Sequence, residues 1–313
     1  MRHNVLSVKR CIILKTGFIH VLALLTITAI SFTASGCEGV AVQPPEDQPF
    51  VFLFMSDTQA DPQTGDYSGF GSLLANALND AEKPSLIILG GDTVNDDADE
   101  DEWRNFFRAA GSSLDEIPVA AAAGNHDSSK HLAGRFDWPI SAPEKPYQGY
   151  FYSFDMGVVH FTVMDSNIMG AANDEDIEWL KEDLSGDAAA AAEWRVAICH
   201  HPFWPVAEIP KDINRSQTMR EHFLPLFTEY GVDLLLVGHQ NIYSRCEPEE
   251  GPVQVMAASG GKVSYTPVER PYLIITADAP NYVRVTASGG EFAVAAFDAS
   301  GNTVDSFVIP EKE

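Results

Sequence analysis

Seven short apolar runs, with helix-patterned segments between several of them, restrict this chain more than any other feature. They are Phe50–Met55, Ser85–Leu89, Ile117–Ala123, Val158–Met164, Arg195–Cys199, Val232–Val237 and Val253–Ala258. Runs this short suit strands buried on both faces. The segments Leu73–Ala81, Glu100–Ala110, Glu175–Leu184 and Met219–Tyr230 space their apolar residues as helices do, and the last stops at Gly231. Strand and helix in alternation predict an α/β layered domain. The end of the chain differs. Tyr272–Ala277, Asn281–Thr286, Glu291–Phe297 and Val304–Ile309 are rich in β-branched and aromatic residues, with Gly289-Gly290 and Ser300-Gly301-Asn302 as turns. They predict an antiparallel meander closing a sheet, within one domain from about 49 to 313.

Charge narrows the partners. The chain of 313 residues has 20 basic and 45 acidic side chains, a net −25. The first 36 residues hold four bases (Arg2, Lys9, Arg10, Lys15) and no acid, so the remainder stands at −29. Such a surface repels nucleic acid and anionic lipid heads. Residues 1–36 read as an export signal: a basic front, an apolar stretch from Gly17 to Ile30, then Ala34-Ser35-Gly36-Cys37. Small residues before a Cys resemble the bacterial lipoprotein signal, in which that Cys is lipidated; the alternative is an uncleaved membrane anchor. Residues 37–48 then form a tether. The expected location is the bacterial cell envelope, with membrane contact only through lipid on Cys37. No obligate protein partner is evident. Cys199 and Cys246 remain after export, free to pair or not.

Five of the runs end in ligand-type residues. Phe50–Met55 leads into Ser56-Asp57-Thr58-Gln59, and Ser85–Leu89 into Gly90-Gly91-Asp92-Thr93-Val94-Asn95. Ile117–Ala123 leads into Gly124-Asn125-His126-Asp127, Arg195–Cys199 into His200-His201-Pro202, and Val232–Val237 into Gly238-His239-Gln240-Asn241. Any one cluster alone is more simply a turn, a helix cap or a satisfied histidine. Five at the carboxyl ends of strands in one α/β domain are a site, because ligands collect at that edge. Carboxylate, amide and imidazole groups converging there suit divalent metal.

This series resembles the calcineurin-like metallophosphoesterases, closest to their purple acid phosphatase branch. The resemblance covers roughly residues 50 to 265 and includes Tyr152–Asp165, Glu178–Leu184 and Tyr243-Ser244-Arg245. It implies a four-layer α/β/β/α sandwich and two divalent metals about 3.5 Å apart. By position, Asp92 bridges them. Asp57, Gln59 and Asn241 stand where the family holds the first metal; Asn125, His200 and His239 hold the second. His126, steadied by Asp127, would protonate the leaving oxygen. Asn95 and His201 would stand one step behind the ligands.

The implied activity is hydrolysis of a phosphomonoester or phosphodiester by metal-activated water, on a phosphorylated small molecule. The metals would be Mn, Mg, Ca, Zn or Fe. The family usually has His where Gln59 and Asn241 stand. Neutral amide oxygen favours Mn²⁺, Mg²⁺ or Ca²⁺ over Zn²⁺ there. Asn95 replaces the tyrosine that colours the purple branch, so the protein should be colourless. The altered first site leaves a second reading: a catalytically weakened relative that binds metal or a phosphorylated ligand at the cell surface. Arg135, Trp138, Tyr147, Trp204, Lys211 and Arg215, in loops near these clusters, are candidates to clamp substrate.

Overall fold

The computed structural model describes residues 49–79, 83–132, 135–136, 151–171, 173–262, 264–288 and 290–311. The signal and tether readings (residues 1–48, with Cys37), Trp138 and Tyr147 lie outside them.

The strands are β1 (Phe50–Met55), β2 (Leu86–Leu89), β3 (Val119–Ala121), β4 (Tyr152–Met156), β5 (Val159–Val163), β6 (Trp194–Ile198), β7 (Leu234–Val237), β8 (Tyr243–Cys246), β9 (Val253–Met256), β10 (Leu273–Ala277), β11 (Asn281–Ser288), β12 (Glu291–Asp298) and β13 (Thr303–Pro310). They form a six-stranded sheet, β13-β12-β11-β1-β2-β3, and a seven-stranded one, β10-β8-β9-β7-β6-β5-β4. In the first, β1, β2 and β3 are parallel. In the second, β5, β6, β7 and β9 are parallel.

Side-chain alternation along each strand builds the layers. Phe52 and Phe54 of β1 point between the sheets, where they share a core with Phe161, Val196, Ile198, Leu234 and Leu236. Leu53 and Met55 point outward, onto Phe70, Leu73, Trp103 and Phe106 of the helices Ser68–Leu78 and Glu100–Ala110. On the other side, Ala197, Leu235 and Val237 meet Leu180, Met219 and Phe227. Helices therefore flank both sheets, giving the α/β/β/α order expected. Among the described residues no helix is long and apolar enough to cross a membrane.

Glu100–Ala110 forms over the range its pattern predicts. Asp99 caps it by accepting from the Asp101 N–H, and three acids fill its first turn. Two expectations change. Met219–Tyr230 is not one helix: Pro210–His222 ends near Phe223, and Leu224–Glu229 restarts with a proline in its first turn. Pro225 lacks an N–H and its ring clashes with the preceding turn, so a single helix cannot run through it. The four tail runs are not one meander either. β11, β12 and β13 are, but β10 pairs with β8 in the other sheet. Cys199 and Cys246 are both buried and unpaired, so no disulfide forms between them.

Candidate metal centre

Each ligand-bearing loop leaves the carboxyl end of a parallel strand, and the loops bind one another before they bind anything else. The Asp57 N–H donates to the Gly91 carbonyl at 3.0 Å. Thr58 Oγ1 and Gln59 Nε2 donate to the Thr93 and Val94 carbonyls. Asp127 accepts from the N–H groups of Asp92, Thr93 and Gly124, which locks the second loop to the third. The His126 N–H donates to Asp92 Oδ1 at 2.8 Å, and the His239 N–H to Asp57 Oδ2 at 2.8 Å. Loops distant in sequence thus converge on two aspartates.

The backbone is bent to achieve this. Among the described residues the non-glycine positions with positive φ are Asp57 (51°), Asp92 (53°), His239 (77°) and Asn241 (49°). A side chain in that region costs conformational energy and persists where the surroundings over-determine it. Close approach also dictates Gly238: a Cβ there would lie 1.9 Å from Ser56 Oγ and 2.2 Å from Asp57 Oδ2.

Asp57, Asp92 and His200 each offer a ligand atom, all within 4.8 Å of one another. All three are buried, and several polar atoms around them are unmet. Asp57 Oδ1, Gln59 Oε1 and His200 Nε2 are buried without a hydrogen-bond partner. Their side chains are held from the other end: Ser56 donates to Asp57 Oδ2, Gln59 Nε2 reaches Val94, and His200 Nδ1 donates to the Gly90 carbonyl at 3.0 Å. A buried polar atom left unpaired is costly, and a cation removes that cost. The residues therefore fit divalent metal.

Electrostatics agree. Burial pushes the Asp57 carboxyl up to about 7; His200 opposes this and Asp92 adds to it. Burial would also raise Asp92, but the His200 charge beside it holds its carboxyl well below the usual range. Burial works against protonated His200, yet Asp92 beside it raises the imidazole to about 9. Two buried carboxylates beside one imidazole are an excess of negative charge, the setting that divalent metal suits.

The other sequence-predicted residues are nearby but engaged. His239 Nδ1 bonds Asn125 Oδ1 at 2.8 Å, and its Nε2 lies 3.0 Å from Asp212 Oδ1. The Asn241 amide donates to the His239 carbonyl at 3.3 Å. His201 is buried between Ser166 Oγ and the Arg215 guanidinium, with its ring 4.3 Å from that of His239. A cleft of about 300 Å³ is lined by Asp92, Asn125, His126, His239, Asn241, Lys262, Tyr265 and Pro62.

Asp127 does not steady the His126 ring. Its two oxygens serve the three backbone N–H groups, and the ring is oriented by the Asn95 carbonyl, which accepts from Nδ1 at 2.8 Å. The Asn95 side chain turns instead to the Ala60 carbonyl. The loop cations and aromatics also have structural duties. Arg135 pairs with Glu100 and lies over the Trp103 ring, Trp204 is in the outer core, and Arg215 meets His201. Three residues of the site escape the strand-end pattern: Asp212, which also accepts from Gln240 Nε2, Tyr265, and Lys262, whose Nζ is 3.0 Å from His126 Nε2. Lys262 had a signal, because Val253–Ala258 is itself an apolar run and ends in Ser259-Gly260-Gly261-Lys262.

The family model for the calcineurin-like phosphoesterases matches residues 50–243. The chain belongs to that family. Purple acid phosphatase 23 of Arabidopsis thaliana is 27% identical over 184 residues, covering 54% of this chain and 39% of that protein. A purple acid phosphatase of Glycine max is 23% identical over 226 residues, covering 66% and 46%. The chain therefore spans less than half the length of these curated relatives. Two solved structures share the fold. Purple acid phosphatase PPD1 from yellow lupin seeds superposes with a TM-score of 0.68 at 16% identity, covering 85% of this chain and 55% of that one. GAP50, the anchor in the inner membrane complex of Plasmodium, has a TM-score of 0.66 at 16% identity, covering 85% and 90%. The family's site is dinuclear, and Asp57, Asp92 and His200 are the ligands this structure clusters.

Proposed function

We propose that this protein hydrolyses phosphate esters with divalent metal at the carboxyl edge of its two sheets. One observation supports this best: buried oxygen and nitrogen atoms of Asp57, Gln59 and His200 are left without partners beside a cleft lined by Asp92 and His126. Cations held there by Asp57, Gln59, Asp92, Asn125, His200, His239 and Asn241 would neutralise phosphate charge and acidify water to a pKa near about 7.

The chain's own residues do the rest. The Asn95 carbonyl accepts from His126 Nδ1 and aims Nε2 into the cleft, where a ring protonated at both nitrogens would donate its Nε2 proton to the departing ester oxygen. Asp127 holds the loops of Asp92 and Asn125 in register. Asp212 fixes the His239 ring through its Nε2. The test is release of a chromogenic alcohol from a phosphomonoester and a phosphodiester, with and without Mn²⁺. Turnover lost in Asp92→Asn and His126→Ala is the expected result; no metal-dependent turnover by the wild type refutes it.

A second reading rests on the neutral amides of Gln59 and Asn241: a surface protein that binds metal or a phosphorylated ligand with little turnover. Stoichiometric metal without hydrolysis of either ester would select it. We further propose export and lipid attachment at Cys37, supported by the basic front, the apolar stretch and Ala34-Ser35-Gly36 before it. Labelled fatty acid should enter the protein in cells, and Cys37→Ala should abolish the label.

A further inference from the structure

We propose that Lys262 is a substrate-binding residue of this cleft: its ammonium holds a non-bridging phosphate oxygen beside His126 and favours a dianionic phosphomonoester over a monoanionic diester. This rests on the hydrolase reading above and names its substrate class. A lysine has three donors and no acceptor. One of them meets His126 Nε2 at 3.0 Å, the nitrogen left over once Nδ1 has gone to Asn95. Among the described residues no carboxylate pairs with this ammonium. Lys262 is half-buried, so a cation with donors to spare faces a cleft it shares with Asn125 and His239. An anionic oxygen is the partner that arrangement lacks, and bonds between two charged groups are the strong ones.

The position is built rather than incidental. The Ser259 N–H donates to the Ser56 carbonyl at 2.7 Å, and the Gly261 N–H to the Gln59 carbonyl at 2.9 Å. Gly260 lies so close that a Cβ would be 2.3 Å from the Asp57 carbonyl oxygen and 2.4 Å from that of Gln59. Beyond Lys262, the Tyr265 N–H donates to the Gln240 carbonyl at 3.1 Å. The segment is thus tied to the first ligand loop on one side and the last on the other, with Lys262 spanning the gap. A monoester brings two negative charges to this ammonium. A diester brings one, and its second ester group occupies an oxygen the lysine would bind. Lys262 forms no covalent bond and passes no proton in this role.

The test compares wild type, Lys262→Met and Lys262→Arg in the metal-loaded full chain. Calorimetry measures inorganic phosphate binding, and kcat/KM is read on a chromogenic monoester and its diester. Lys262→Met should weaken phosphate binding and lower monoester kcat/KM by about 10- to 100-fold, with diester kcat/KM changed less than about threefold. Lys262→Arg should recover most of both, and metal stoichiometry should match wild type throughout. Phosphate affinity unchanged in Lys262→Met, equal losses on both esters, or loss of metal would each overturn the proposal. Wild type without turnover on either ester would instead sink the hydrolase reading, and the phosphate arm would still decide the role of Lys262.

Discussion

His160 and His200 are both buried imidazoles beside two carboxylates, and both are pushed up to about 9, burial opposing and the acids prevailing. Their surroundings differ in completeness. His160 Nδ1 bonds Asp155 Oδ1 at 2.8 Å, its Nε2 reaches Asp183 Oδ2 at 3.3 Å, and Thr162 Oγ1 also donates to that oxygen. His200 is anchored only through Nδ1. Its Nε2 stays 3.4 Å from Asp92 Oδ1, and Asp57 Oδ1 has no partner. Neither residue type nor basicity separates the two clusters. Unmet atoms on firmly anchored side chains do, and they mark the cluster that awaits a cation.

That contrast can be broken by experiment. Asp92→Asn should cost at least about 10³-fold in kcat/KM with native circular dichroism, whereas His160→Leu should leave kcat/KM near wild type. The latter should instead destabilise the fold by about 3 kcal/mol in urea unfolding, because two acids lose their buried partner. Chelation gives the reverse pattern. At metal 100-fold above its Kd, EDTA should remove about 2.7 kcal/mol from the wild type and from His160→Leu, and much less from Asp92→Asn.

The His160 cluster also predicts a pH profile. Its folded pKa is raised, so its stabilisation is fully present below the unfolded value of about 6.5 and is lost as pH rises through about 9. Unfolding free energy of the wild type should fall by up to roughly 3 kcal/mol across that window, and the fall should flatten in His160→Leu. The smallest effect concerns metal choice. Gln59→His should shift preference toward Zn²⁺ by less than about tenfold while leaving the fold unchanged.

Each of the seven apolar runs overlaps a strand, because burial on both faces demands an apolar stretch. β4 and β8 lack that mark. β4 (Tyr152–Met156) exposes alternate residues at the sheet edge, and β8 (Tyr243–Cys246) is four residues with Ser244 and Arg245 in its middle. The displacement of β10 into the other sheet was likewise illegible, since its pattern fits an edge of either. The strand-end clusters were legible because one topological rule gathers them. Asp212 was not, as it stands in the first turn of a helix whose approach to His239 is set only by packing. The partner of the His126 ring was hidden for a related reason: it is a backbone carbonyl, which every residue possesses.

The four left-handed positions, Asp57, Asp92, His239 and Asn241, set thermostability and catalysis against each other. Glycine at any of them would relax the main chain, yet at Asp57 and Asp92 it would strip the acceptor from a backbone N–H, and at all four it would delete a side chain proposed to hold metal. Selection for heat tolerance alone should therefore drift toward glycine first at Asn241, whose amide makes one 3.3 Å bond, and selection for turnover should hold that side chain in place.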